Sequence, residues 1–400
     1  MKIFLCNQHF YQVGGSETMF FKLIDFLKNE GYDIVTLGVS AEKNVKIDGI
    51  KSYFTKSYLQ QRKIRMPLNR IFNLHAYKVT KKLIREENPN IAHFYNTSLL
   101  SPSPILACLE SKIPTIKTFN DYEHLCPDSS KTRWSKFCEK EMSILNCMSC
   151  DRKNINPSLP VILYYTTIIK NVELKIFKKI HCISICKIIQ KALLQSGIKS
   201  ELIYQSITLP KYVPPIKFTG NILYAGRLSK EKGVDQLIKA LDIVRKKFSK
   251  IKLIIAGDGK ERKNLENLVK ILSLEKNVEF LGWVDRESLK KIYENVDFAV
   301  LPSVWQEPFG LTGLEAMSYG RPVIAFDVGG ISEYVENKKN GFLVKVYDVK
   351  SLAEKITILL ENEKMLEKFS KNSIKTSKKF SDEIFFKKIK NFYDKVSSCQ

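Results

Sequence analysis

The chain has 400 residues, 44% hydrophobic and 27% charged, which is too long for one ordinary core and fits a soluble globular protein of two domains. Lys and Arg outnumber Asp and Glu by 65 to 42, a net charge of +23. Such a field favours an anionic partner (a nucleotide, a phosphorylated lipid, an acidic membrane face or nucleic acid), although lysines spread along the whole chain also fit a compositional bias. No apolar run reaches the about 18 residues of a membrane span, and Val161–Ile169 is interrupted by two threonines. The start, Met1 to Cys6, reads as a short buried strand rather than a signal peptide, so a cytoplasmic protein is expected. Nine cysteines, with Cys399 isolated at the tail, do not suggest a disulfide scaffold.

In chain order, Lys2–Asn7 predicts a strand, Gly14-Gly15 a loop, and Glu17–Lys28 an apolar-periodic helix stopped by Gly31. Ile34–Val39, Ile91–Tyr95, Thr115–Phe119 and Ile180–Ser184 read as further buried strands. Residues 51–100 hold ten basic side chains against Glu86 and Glu87. Within them, Pro67 is expected to precede one helix from Leu68 to Arg85, with Leu68, Ile71, Phe72 and Val79 packed inward and the lysines outward. Pro210, Pro214 and Pro215 mark a linker. A second series follows, with strands at Ile222–Ala225, Lys252–Ala256, Val278–Leu281, Asp297–Leu301 and Pro322–Phe326. Helices are expected at Val234–Phe248, Arg262–Leu272, Arg286–Asn295 and Leu311–Tyr319, and a last one at Asp382–Val396. Alternating strands and helices mean parallel sheets, whose ligands bind in the loops after the strands.

The loop-borne chemistry is concentrated in the second series. Glu307 and Glu315 stand eight positions apart around a glycine turn, with a helix expected to open near Phe309 and Glu315 two turns along it. Carboxylates accept from sugar and ribose hydroxyls, and the N–H groups of Phe309, Gly310 and Leu311 suit an anion; an isolated acid pair would more simply be a solvated helix face. Arg227 and Lys232 follow the first strand of the series, where a planar fork and a point charge can both reach a diphosphate. Gly14-Gly15, Gly257-Asp258-Gly259 and Gly329-Gly330 occupy comparable loops, although each alone is more often a tight turn. The dinucleotide fingerprint Gly-x-Gly-x-x-Gly is absent from the first loop, which counts against a plain dehydrogenase.

These pieces resemble the retaining glycosyltransferases of family 4. The matching stretches are Gly226-Arg-Leu-x-x-x-Lys232-Gly, Ile255-Ala-Gly-Asp-Gly259, Phe280-Leu-Gly-Trp-Val284, Pro302-Ser-x-x-x-Glu307-Pro-Phe-Gly, Glu315-Ala-Met and Gly320-x-Pro-Val-Ile-Ala. The likeness is dense over about residues 220–350 and extends to Gly14-Gly15-Ser-Glu near the start. It implies an α/β GT-B fold: two Rossmann-like domains facing across a cleft, 1–212 with a helix 381–400 crossing back, and 213–383. It also implies a UDP- or GDP-sugar donor, no metal or other cofactor for catalysis, and retention of anomeric configuration. By the same resemblance, Arg227 and Lys232 neutralise the diphosphate and Glu307 binds the transferred sugar. Phe309, Gly310, Leu311 and Thr312 lie beside it, and Glu315 binds the ribose. Gly282, Trp283 and Val284 lie against the base, and Gly14 and Gly15 approach the diphosphate. Many members carry a histidine where this chain has Asn120, which can donate a hydrogen bond but cannot become a cation. His124 is too far along for a simple swap. Cys126, Cys138, Cys147 and Cys150 end in a Cys-x-x-Cys pair; a structural zinc and plain reduced thiols are both open readings.

The expected reaction is sugar transfer to an acceptor hydroxyl in the assembly of cell-surface glycan, polysaccharide or glycolipid. The acceptor would be a glycan or lipid-linked, and the basic segment would either rest on the anionic inner face of the cell membrane or form a solvated helix face beside a soluble acceptor. A nucleotide-sugar epimerase or a phosphorylase on the same fold is the alternative. A nucleic-acid-binding protein is less favoured, because no helix-turn-helix or aromatic-plus-basic surface accompanies the charge.

Overall fold

The computed structural model describes every residue except 13, 61–65, 128, 134–135, 141, 149–158 and 399–400. Its residues cluster into two units, one built from Met1–Arg133, Cys138–Gln205 and Phe385–Gln400, the other mainly from Ser206–Ile384.

The first unit is a seven-stranded sheet. Its strands are β1 (Lys2–Cys6), β2 (Asp33–Val39), β3 (Lys51–Thr55), β4 (Ile91–Phe94), β5 (Thr115–Phe119), β6 (His181–Ser184) and β7 (Glu201–Leu202), in the order β3-β2-β1-β4-β5-β6-β7. All pairings are parallel, with Phe4 opposite both Val35 and Ala92. Ile3 to Cys6 are fully buried because both faces of a parallel sheet are covered, which is why they read as a continuous apolar run. Strand β3 escapes the sequence pattern because its residues are half-exposed at the sheet edge. Helix α1 (Gly15–Asn29) buries Met19, Phe20, Leu23, Ile24 and Leu27, and the chain leaves it through Gly31 at φ +78°.

The single helix expected over 68–85 is two. Helix α2 (Met66–Ile71) ends, Phe72 and Asn73 break the chain, and α3 (Leu74–Glu87) begins. Asn73 caps α3 by accepting from Ala76 N, while its own N–H donates to Ser103 Oγ at 2.7 Å. The inward face is accordingly Ala76, Thr80, Leu83 and Ile84, whereas Ile71 and Phe72 are exposed and Val79 is half-buried. Arg62, Lys63 and Arg65 of the basic segment lie outside the described residues. The apolar run Val161–Ile169 lies within helix α4 (Leu159–Phe177). Among the described residues no helix is long and apolar enough to cross a membrane.

The second unit is a six-stranded sheet of β8 (Asn221–Ala225), β9 (Lys252–Ala256), β10 (Val278–Gly282), β11 (Phe298–Leu301), β12 (Val323–Phe326) and β13 (Gly341–Val344). The order β10-β9-β8-β11-β12-β13 reverses direction beside β8, so the loops after β8 and β11 flank the switch point where such sheets bind ligands. Helix α5 (Val234–Val244) follows the β8 loop and α6 (Leu311–Ser318) follows the β11 loop. Helices α7 (Val349–Glu361) and α8 (Glu363–Ser377) complete the unit, each capped by a side chain, Asp348 to Ser351 N and Asn362 to Met365 N. Helix α9 (Asp382–Ser397) buries Phe385, Ile389, Phe392, Tyr393 and Val396, and from Phe385 it clusters with the first unit. There Tyr393 Oη lies 2.6 Å from Nδ1 of the buried His93.

Candidate active site

Glycines let the loops at the carboxyl edge of the second sheet stack directly on one another. A Cβ on Gly257 would stand 1.8 Å from the Gly226 carbonyl oxygen, and one on Gly259 2.2 Å from that of Leu228. The β8 and β9 loops are thereby zipped together, with Leu228 N donating to Asp258 O and Glu261 N to Leu228 O. Likewise, a Cβ on Gly329 would stand 1.9 Å from Glu307 O, and Gly330 N donates to that oxygen. Gly233, left-handed at φ +63°, starts α5 against Pro302 O, while Val304 N donates to Glu231 O. These contacts require glycine, because any side chain would drive the loops apart.

This scaffold brings together Lys232 and Glu307. Lys232 Nζ lies 2.6 Å from Glu307 Oε2, and their side chains are 19% and 9% exposed. Ser303 Oγ and Trp305 Nε1 also donate to Glu307 Oε2, at 2.9 and 3.1 Å. Burial alone would raise the Glu307 carboxyl, but the Lys232 charge and these hydrogen bonds outweigh it and hold the group below the ordinary carboxylate value. Lys232 also sits over the Trp305 ring, 5.6 Å from its centroid. Arg227 is exposed on the β8 loop, whose turn is braced by Tyr224 Oη donating to Arg227 O at 2.9 Å.

Helix α6 opens at Leu311, where the expected Leu311–Tyr319 helix begins and two residues after the start near Phe309, with Gly310 left-handed at its N-cap. Glu315 therefore lies little more than one turn along it rather than two. Leu311 and Thr312 occupy the first turn, where backbone N–H groups lack helical partners, while the Phe309 ring is buried against Tyr334 and Phe380. Tyr334 Oη fixes the turn by donating to Gly310 O at 2.8 Å. The Tyr293 hydroxyl lies 3.5 Å from Glu315 Oε2. Gly282, at φ +73°, ends β10, Val284 is half-buried, and the Trp283 side chain is 76% exposed, leaving an indole face to stack on.

In the first unit, Asn120 is buried at the end of β5 within a cluster of amides. Gln205 Nε2 donates to Asn120 Oδ1 at 3.3 Å, and Asn120 Nδ2 lies 3.5 Å from Asn96 Oδ1. Asn96 in turn donates to Ser16 Oγ at 3.0 Å and reaches Glu17 Oε1 at 3.5 Å, next to Gly14 and Gly15 at the start of α1. His124 is spent elsewhere: its Nδ1 lies 2.8 Å from Glu173 Oε2, both side chains buried, so it does not stand in for a histidine at position 120.

Cys147 is near enough to Cys126 and Cys138 to interact electrostatically with each. Among the described residues, however, no three His, Cys, Asp or Glu side chains form a group able to hold a metal. The four-thiolate zinc expectation finds no support there, and Cys150 lies outside the described residues. Sequence reasoning missed Ser303, Trp305, Asn96 and Gln205. The first two were reachable, since both fall inside the Pro302–Glu307 stretch; the amides come from separate segments with no shared pattern.

Two parallel doubly wound sheets of this kind place the chain in the GT-B fold, and the structure of an Anabaena protein in complex with UDP superposes with a TM-score of 0.72 over 98% of this chain and 100% of that one, at 18% identity. The family model for Glycosyl transferases group 1 matches residues 219–376, which lie within the second unit. An uncharacterized glycosyltransferase of Methanocaldococcus jannaschii is 42% identical over 132 residues, 33% of each chain. A second from that organism is 27% identical over 408 residues, 99% of each. The chain spans only 33–42% of the length of the first three curated relatives it matches.

Proposed function

We infer that the protein is a retaining glycosyltransferase that moves a sugar from a UDP- or GDP-sugar to an acceptor hydroxyl in glycan, polysaccharide or glycolipid assembly. The observation that carries this reading is the pair of half-buried Lys232 and buried Glu307 beside the α6 N-terminus, with Arg227 exposed on the neighbouring loop. Lys232 and Arg227 neutralise the diphosphate as it departs, and first-turn N–H groups of α6 add partial positive charge. Glu307 accepts from hydroxyls of the transferred sugar, Glu315 from the ribose, and Trp283 stacks on the base. Asn120 donates to a sugar hydroxyl. None of these groups acts as a nucleophile; they position the donor and stabilise the leaving group. Incubation with a panel of UDP- and GDP-sugars, read as nucleoside diphosphate release and as the anomeric configuration of the product, tests the reading. Turnover of one donor with retention supports it. Inversion refutes retention, and no turnover of any donor with any hydroxyl acceptor refutes the reading as a whole.

A contact with anionic membrane belongs to the same proposal. Leu59, Ile71, Phe72 and Leu74 are exposed close in sequence to exposed Lys78, Lys82 and Arg85. Basic side chains near an anionic leaflet contribute about 1 kcal/mol each, enough together for reversible docking. Cosedimentation with anionic but not neutral vesicles, reversed by salt, is the expected result; equal recovery in the supernatant throughout would end this part of the proposal.

A further inference from the structure

Three donors converge on one oxygen of Glu307. The Lys232 ammonium, the Ser303 hydroxyl and the Trp305 indole all point to Oε2, at 2.6, 2.9 and 3.1 Å. Among the described residues Oε1 accepts from no protein group, yet it is not sealed from solvent. A free carboxylate presents two equivalent oxygens and rotates between them. Here a half-turn only swaps the two equivalent oxygens, while any smaller rotation takes the acceptor position away from three donors at once, so the plane of the carboxylate is fixed.

The chemistry of the donors sharpens the asymmetry. An ammonium and an indole N–H donate only, so neither can take a proton from a ligand hydroxyl. Ser303 is itself buried and spends its proton on Oε2. Trp305 acts twice, since its N–H holds the carboxylate while its ring lies under the Lys232 ammonium that holds the same oxygen. The backbone is pinned as well, Glu307 O accepting from Gly330 N.

We propose that Trp305 and Ser303 are positioning residues that, with Lys232, lock Glu307 in one orientation and make Oε1 its single acceptor for a hydroxyl of the transferred sugar. The proposal rests on the reading of Glu307 as a sugar contact and adds a specificity rule to it. A carboxylate offering one oxygen cannot grip two neighbouring hydroxyls with one oxygen each. Its pairing centres on a hydroxyl directed at Oε1, and an epimer at that position leaves Oε1 poorly paired.

The test uses Trp305→Phe, which keeps an aromatic face near Lys232 and deletes the N–H. Measured with UDP-glucose and its C4 epimer UDP-galactose, and with the other donors of the panel, kcat/KM for the preferred donor falls about 5- to 50-fold. Discrimination between preferred donor and epimer narrows, while the Kd for UDP, which lacks the transferred sugar, stays within about twofold of the native value. Ser303→Ala moves the epimer ratio in the same direction by less, and carries the test if Trp305→Phe fails to fold. In a Glu307→Ala background, Trp305→Phe has no further effect. Native kcat/KM and epimer ratio in Trp305→Phe, or losses that simply multiply in the double variant, overturn the proposal while leaving Glu307 as a sugar contact. Near-native kinetics of Glu307→Ala overturn that contact and the proposal with it.

Discussion

Each sheet carries a buried polar cluster at its carboxyl edge, and the two are built differently. In the second unit the cluster is charged, a cation and a carboxylate held by loops that glycines allow to touch. In the first it is mostly neutral, amides of Asn96, Asn120 and Gln205 linked at 3.3–3.5 Å, with Glu17 at its margin. Burial pushes the Glu17 carboxyl up from its ordinary value, whereas Lys232 holds that of Glu307 down. A cluster that holds a cation suits, on the proposed reading, a ligand of fixed charge such as a diphosphate. An amide cluster has donors and acceptors to rearrange, and suits a neutral polyhydroxyl partner.

The largest effect should come from breaking the charged side. On the proposed reading, Lys232→Ala or Arg227→Ala removes a charge-assisted contact to the leaving group, worth about 1.5–3 kcal/mol net, so kcat/KM should fall about 10- to 100-fold or more. Near-native kinetics in both would equalise the two clusters and discard the assignment. On the amide side the loss is smaller. Asn120→Ala should cost about tenfold, one neutral hydrogen bond and its positioning, and Asn120→His should keep part of the activity. Unchanged kinetics in Asn120→Ala would remove that residue from the site.

A separate effect concerns stability against pH. Because the Glu307 carboxyl is held below its ordinary value, the unfolded chain binds that proton more readily. The stabilisation is complete above about pH 4.3 and is lost as pH falls through the folded-state value. Lys232→Ala removes the principal opposing charge, so burial dominates and the carboxyl rises. Urea unfolding should show the variant about 1–3 kcal/mol less stable at pH 7, with the gap closing as pH falls toward 3. A gap independent of pH would mean the pair is not what stabilises this loop.

The same contrast explains what was legible in the sequence. Strands β8 to β12 were placed within a residue or two, because β8, β9, β11 and β12 are largely buried apolar runs, while β10, with Glu279 and Leu281 exposed, was marked by Val278, Phe280 and the glycine that ends it. Strand β13, Gly-Phe-Leu-Val, and the helices α7 and α8 passed unread, since their ends are set by Asp348 and Asn362 caps in polar, lysine-rich sequence. The break between α2 and α3 depends on Asn73 meeting Ser101 and Ser103, residues about 30 positions away, which no local pattern announces. Lys232 and Glu307 could be read from charge after buried strands. The Trp305 and Ser303 donors were in the same stretch, but their common target oxygen is a matter of geometry.

If the loops after β8 and β11 hold the diphosphate of a nucleotide sugar, as proposed, calorimetric titration with UDP and GDP detects it most directly. Saturable binding of one nucleotide, weakened at least about tenfold by Arg227→Ala and left nearly intact by Asn120→Ala, is the predicted result. Binding of neither nucleotide, or equal affinity in the native protein and Arg227→Ala, would contradict it.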